Sequence, residues 1–182
     1  MFVQTQITPN PNSLKFLPGR RVSNSGTFEI NDKNKTSNDL VRSILSINGV
    51  TGIFLGEDFL SVNKKEDSNW EDIKHIIISL INEFYLEGNP FIVDKDFYNE
   101  KKNNFDEIEE KIIKILETKI KPAVAKDGGD IKFKEFKNGI VTVQLQGSCS
   151  GCPSSIMTLK QGVQNLLCHY IKDVKEVVAV QN

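Results

Sequence analysis

Between Asn89 and Asn104 the chain turns polar, with Lys95, Glu100, Lys101, Lys102, Asn103 and Asn104 in quick succession. This stretch divides the apolar pattern into two blocks. A chain of 182 residues is too long for one minimal domain and suits two small ones. We therefore expect one domain over residues 1–88, a joint over 89–104 and a second domain over 105–182. Phe91, Phe97 and Tyr98 are unusual in a free linker, and docking of part of the joint onto one domain would account for them.

The first block opens on strand-like alternation, Phe2, Gln4 and Gln6 against Val3, Thr5 and Ile7. Two prolines in Thr8-Pro9-Asn10-Pro11-Asn12-Ser13 impose an extended, non-helical stretch, either a fixed surface turn or a partner-binding one. Leu14 to Leu17 form a short apolar piece that stops at Pro18-Gly19. Ser37 or Asn38 can cap a helix carrying Leu40, Val41, Ile44, Leu45 and Ile47, which ends at Asn48-Gly49. Gly52 to Leu55 and Phe59 to Val62 read as a hairpin around Gly56-Glu57-Asp58. A second helix, Trp70 to Leu86, is expected to bury Ile73, Ile76, Ile77, Leu80, Ile81 and Phe84. This block has no cysteine, no Gly-rich phosphate loop and nothing that looks catalytic.

In the second block, Asn104 and Glu107 have the spacing of a capping box ahead of Ile108, Ile112, Ile115, Leu116 and Ile120 at helical intervals. Pro122 is expected to kink or end that helix. Asp127-Gly128-Gly129-Asp130 is a tight turn in which either glycine can take positive φ. Two strands follow, Asp130 to Phe136 and Ile140 to Gln146. A two-residue Asn138-Gly139 loop would pair Phe133 with Gln144 and mix apolar with polar residues. Taking Lys137, Asn138 and Gly139 all as loop pairs Ile131 with Leu145 and Phe133 with Val143, so a three-residue loop is expected, with Gly139 left-handed. A helix with Ile156, Leu159, Val163, Leu166 and Tyr170 at near-heptad spacing and a last strand, Val174 to Val180, complete an α-β-β-α-β order. The fold class is α+β: two small domains, the second a two-layer one.

Between the second strand and that helix lies Gly147-Ser148-Cys149-Ser150-Gly151-Cys152-Pro153. Two thiols three positions apart on a turn of small residues can bind a soft metal or an iron–sulfur centre. Pro153 suits the first helical position, which places Cys152 at the N-cap, where the helix dipole and unpaired N–H groups favour thiolate. The small residues leave room for inorganic sulfide to approach backbone N–H donors. Two ligands make half a site. Cys168, 16 residues beyond Cys152 along the helix, is about 24 Å away and is read as a packing thiol without function. His75 and His169 have no companion at ligand spacing and are read as packing or surface residues. The least strained completion is a second copy of Cys149 and Cys152 across a two-fold axis.

The charge pattern narrows the partners. The 23 basic and 24 acidic residues nearly cancel, and they do so within each block, so no footprint for nucleic acid is seen. No apolar run is long enough for a membrane span. Three cysteines, one unpaired, fit a reducing compartment, and without an Arg- and Ser-rich leader the expected location is the cytoplasm. No His, Asp or Lys is placed beside the cysteines as a general base, which disfavours an enzyme.

With these residues the chain resembles the Nfu family of iron–sulfur scaffold and carrier proteins over nearly its whole length. The second block is similar to the NifU C-terminal domain through Asp127-Gly128-Gly129-Asp130 and Gly147-Ser148-Cys149-Ser150-Gly151-Cys152-Pro153-Ser154-Ser155. The first is similar to the Nfu N-terminal domain through Thr5-Gln6 and Thr8 to Phe16. The resemblance implies that Cys149 and Cys152 ligate a [4Fe-4S] cluster shared by two protomers. The homodimer would receive the cluster from upstream assembly proteins and deliver it to apo iron–sulfur acceptors. Among members, a bacterial cytoplasmic one is the expected kind.

Three other readings compete. A thiol–disulfide oxidoreductase also carries CxxC at a helix start, but there proline commonly sits between the cysteines, and here Pro153 follows both. A zinc-bridged structural dimer would use the same thiolates and be colourless. An RNA-binding module of KH-like order would need a GxxG clamp and a strong excess of positive charge, and the second block has neither.

Overall fold

The computed structural model describes residues 3–90, 92–93, 105–151 and 153–180. Phe2, Phe91, Phe97, Tyr98, Asn104 and Cys152 lie outside these residues. The chain divides into two compact units, Met1–Asn99 and Glu100–Asn182.

The first unit runs β1 (Gln4–Ile7), β2 (Ser13–Leu17), β3 (Phe28–Ile30), α1 (Asp39–Leu45), β4 (Val50–Leu55), β5 (Leu60–Lys64) and α2 (Trp70–Leu86). Its antiparallel sheet has the order β1-β2-β5-β4-β3. Strand β3, three residues at the sheet edge, is too short to show alternation and is not legible in the sequence. Asn38 rather than Ser37 caps α1: its Oδ1 accepts from the Val41 N–H at 3.0 Å, while its Nδ2 donates to the Ile92 carbonyl at 2.7 Å. Ile92 and Val93 are buried in this core, so part of the polar stretch docks onto the first unit. On α2 the buried stripe is Ile73, Ile77, Ile81 and Tyr85, whereas Ile76, expected inside, is 48 % exposed. Successive i,i+4 steps drift only slightly around the helix and leave Ile76 to one side of the stripe. Thr8 to Ser13 is a tied turn. The Thr8 hydroxyl donates to the Asn10 carbonyl at 2.8 Å and the Trp70 indole donates to the Pro11 carbonyl at 3.1 Å.

The second unit runs α3 (Glu107–Ile115), α4 (Lys121–Lys126), β6 (Gly129–Lys137), β7 (Ile140–Gly147), α5 (Pro153–Tyr170) and β8 (Glu176–Val180). Its sheet order is β6-β7-β8, with β6 and β7 antiparallel and β8 parallel to β7, so α5 is the crossover of a βαβ unit. Both units mix helices with sheet, as the α+β class requires. The capping box is Asp106 with Glu109, two residues beyond the expected pair: Asp106 Oδ1 accepts from the Glu109 N–H at 2.8 Å and Glu109 Oε2 accepts from the Asp106 N–H at 3.0 Å. Pro122 does not end the first helix. A π-helical turn, Leu116–Ile120, joins α3 to α4, and its wider loop accommodates a residue that has no N–H to donate. On α5, Val163 and Leu167 are fully buried while Tyr170 is 52 % exposed, so the stripe steps by four rather than by a heptad.

The β6–β7 hairpin joins two signals that conflict in the sequence. Lys137 pairs with Ile140, so the loop is the two residues Asn138 and Gly139, both left-handed at φ 53° and 83°. Ile131 nevertheless faces Leu145 and Phe133 faces Val143, because the register shifts between Phe133 and Glu135. Lys134 is the extra residue of a bulge, which offsets the register that a two-residue turn would impose. The expected pairing is present and the expected three-residue loop is not.

The glycines of this unit divide by backbone angle and surroundings. A Cβ on Gly139, at φ +83°, would lie 3.1 Å from the Asp173 carbonyl oxygen, whereas one on Gly162, within α5, would meet nothing within 4 Å. Gly139→Ala is expected to destabilise the unit by about 1–2 kcal/mol and Gly162→Ala to stabilise it by about 0.5–1 kcal/mol, read from urea midpoints. Shifts of the same sign would contradict this hairpin geometry.

Candidate metal centre at the cysteine turn

Strand β7 ends at Gly147 and α5 begins at Pro153, so the cysteine turn is held between two regular elements. Gly147 and Gly151 are left-handed, at φ 67° and 84°, which turns the chain back twice within five residues. The Ser150 N–H and hydroxyl both donate to the Gly147 carbonyl, at 3.2 and 2.8 Å, and close the loop.

The Asp127–Asp130 turn, distant in sequence, lies against this loop. Gly129 pairs with Gly147 at the end of the β6–β7 ladder. Beyond it, the Ser148 N–H donates to the Gly128 carbonyl at 3.2 Å and the Ser148 hydroxyl donates to the Asp127 carbonyl. Gly128 is the glycine that takes positive φ, at +82°. Gly129 has a different reason to lack a side chain: a Cβ there would lie 2.5 Å from Cys149 Sγ. The two glycine motifs therefore form one structure, which sequence reading missed because it treats each turn separately. The signal available was the second glycine of the pair, for which the turn alone gives no use.

Cys149 is only 7 % exposed and packs into the core of the second unit. Burial pushes its thiol up to about 11; the Ser148 side-chain hydrogen bond offsets part of this, and the Asp127 and Asp130 carboxylates add to it. The helix-start thiolate is an expectation for Cys152; the Cys149 thiol, which precedes the helix, is governed by desolvation. The expected absence of neighbouring carboxylates is corrected, since the β6–β7 pairing brings Asp127 and Asp130 near. They do not activate the thiol as a base would. Carboxylates are ordinarily far weaker bases than a thiolate, and their charge opposes its formation.

Cys152 lies outside the described residues. Cys168 is half-buried against the core, as a packing thiol would be. His75 is exposed, and His169 is exposed with its ring edge-on to Tyr170 at 5.1 Å. Among the described residues no three or more His, Cys, Asp or Glu side chains are grouped to hold a metal ion.

A protonated Cys149 must lose its proton on binding metal. In the metal-free protein at pH 8, about one Cys149 in a thousand is thiolate for a pKa of about 11. Its alkylation, followed by fragment-ion mass spectrometry that separates Cys149 from Cys152 within their common peptide, is therefore expected to rise about tenfold per pH unit up to that value. A rate that levels off at pH 9 would contradict the burial argument.

Residues 3–88 match the family model described as "Scaffold protein Nfu/NifU N terminal", and residues 112–178 match the NifU-like domain. NifU-like protein 4, mitochondrial, of Arabidopsis thaliana is 42 % identical across 97 % of this chain and 65 % of its own length. The NFU1 iron-sulfur cluster scaffold homolog, mitochondrial, of Homo sapiens is 42 % identical across 100 % of this chain and 73 % of its own length. The chain spans about two thirds of the length of the first curated relatives it matches. The solution structure of a NifU-like protein from Saccharomyces cerevisiae, 29 % identical, covers 53 % of this chain and 87 % of its own at a TM-score of 0.47. These relatives carry mitochondrial names and overturn the expected cytoplasmic location of a bacterial member. Compartment is set by an address signal, on which folded domains bear no information. On the two matched domains and these identities, the chain belongs to the Nfu/NifU-like family of scaffold proteins.

Proposed function

We propose that this protein is an iron–sulfur cluster scaffold and carrier. Cys149 and Cys152 of two copies together supply four thiolates to one [4Fe-4S] cluster, which is cargo. The cluster passes from assembly proteins to apo acceptors. The observation that carries this reading is the half-site: two cysteines on one small-residue turn, with no further ligand grouped among the described residues. A cluster held at a seam between copies is open to attack by an acceptor's thiols, and each exchange replaces one thiolate ligand by another. The protein positions and releases its cargo and makes no covalent change in a substrate, so it is not an enzyme.

The raised Cys149 thiol also bears on the oxidoreductase alternative. Rapid thiol–disulfide exchange needs an attacking thiol whose pKa is near ambient pH, and a thiol held at about 11 is mostly protonated there. A metal ligand need not be ionised beforehand, because binding itself displaces the proton, with an affinity that rises with pH. The zinc-bridged dimer uses the same four thiolates and differs in colour and sulfide content.

Anaerobic reconstitution with iron and sulfide, on the wild type and on Cys149→Ala, Cys152→Ala and Cys168→Ala, tests the reading. A brown protein with about two irons per chain is expected, retained by Cys168→Ala and lost in the other two. A colourless zinc protein, or a dithiol that titrates without iron, would replace the carrier with one of the alternatives.

A further inference from the structure

We propose that Gly129 is a positioning residue for Cys149: the missing side chain at 129 is the berth that fixes where the thiol stands. This rests on the reading of Cys149 as a cluster ligand and adds the element that places it. A Cβ on Gly129 would lie 2.5 Å from Cys149 Sγ, 3.1 Å from Cys149 Cβ and 2.7 Å from the Gln146 carbonyl oxygen. Two of its three nearest neighbours are thus atoms of the cysteine itself.

Backbone strain does not explain this glycine. Gly129 lies in β6 and pairs with Gly147 in the ladder, while the left-handed step of the turn falls on Gly128. Nor does ordinary core packing, since the space is filled by the thiol rather than by an aliphatic side chain. The Ser148 bonds to Gly128 and Asp127 hold the loop down onto the turn that precedes this strand. Cys149 is held between these contacts and its 7 % exposure follows. An added methyl group at 129 meets both the Cys149 sulfur and the Gln146 carbonyl of the β7 backbone, and of the two the sulfur is on the side chain that can turn away.

The test uses the full chain with Gly129→Ala, and with Gly162→Ala as a control that adds the same methyl group in open space. Iron per chain and the visible spectrum are read after anaerobic reconstitution at a temperature well below each variant's Tm. Gly129→Ala is expected to hold less than half the wild-type iron with an altered visible band, and Gly162→Ala to match the wild type. On the metal-free proteins, Cys149 alkylation at pH 8 is expected to rise about fivefold or more in Gly129→Ala as the thiol leaves its berth. The Tm loss caused by Gly129→Ala should shrink in a Cys149→Ala background, where the sulfur is gone. Wild-type iron and alkylation in Gly129→Ala, or Tm losses that simply add, would overturn the proposal. If Gly129→Ala alone does not fold, the double variant decides: recovery supports the berth and no recovery overturns it. Should the wild type itself take up no iron, the carrier reading fails, while alkylation and the Tm comparison still decide the role of Gly129.

Discussion

The pairing of Gly129 with Gly147 at the closed end of the β6–β7 ladder is the constraint on which the cysteine turn depends. Residues on either side follow from it: Ser148 reaches the Asp127 and Gly128 carbonyls, and Cys149 settles against the strand where Gly129 has no side chain. The Gly129–Gly147 pairing is main-chain-based, and the buried Ser148 hydroxyl beside it is satisfied by the Asp127 carbonyl. The far end of the same hairpin is governed by the Asn138-Gly139 turn, and the bulge at Lys134 reconciles the two ends. The cysteine turn thereby rests on a ladder whose register is fixed at both ends.

Protection of the thiol follows from the same geometry. Sequence logic places Cys152 at a helix start and expects the dipole to favour its charged form. Cys149 instead precedes the helix, inside the core and near two carboxylates, and its proton is retained. A neutral, sheltered thiol resists oxidation and adventitious alkylation, since both follow thiolate character and exposure. Metal provides the driving force for deprotonation when it arrives.

Much of this fold was legible because periodicity and caps are local. The helix Trp70–Leu86, the hairpin around Gly56 to Asp58 and the β-β-α-β order after Asp127 follow from spacing and turn residues. What failed needed tertiary information. The bulge at Lys134 has no local marker, and only the whole ladder shows that it offsets the Asn-Gly turn. Pro122 is a helix breaker by rule, yet the π turn before it lets the helix continue. Ile92 and Val93 sit in a polar stretch, and their burial depends on β-bridge pairing with Ser23 and hydrogen bonds to the Val22 carbonyl. At the site, Cys149 and Cys152 stand out by type and spacing. The roles of Gly129, Ser148, Asp127 and Asp130 around the thiol depend on a contact between turns some twenty residues apart. Location is a different case, since the mitochondrial names of the relatives overturn a reading that no feature of the fold supports.

The central claim is that two chains share one cluster through four thiolates. Native mass spectrometry of the anaerobically reconstituted protein measures this directly, because chain number, iron and sulfide are counted in one particle. The account predicts a particle of two chains with four irons and four sulfides, about two irons per chain. A single chain carrying a complete cluster, or two chains holding metal without sulfide, would contradict it.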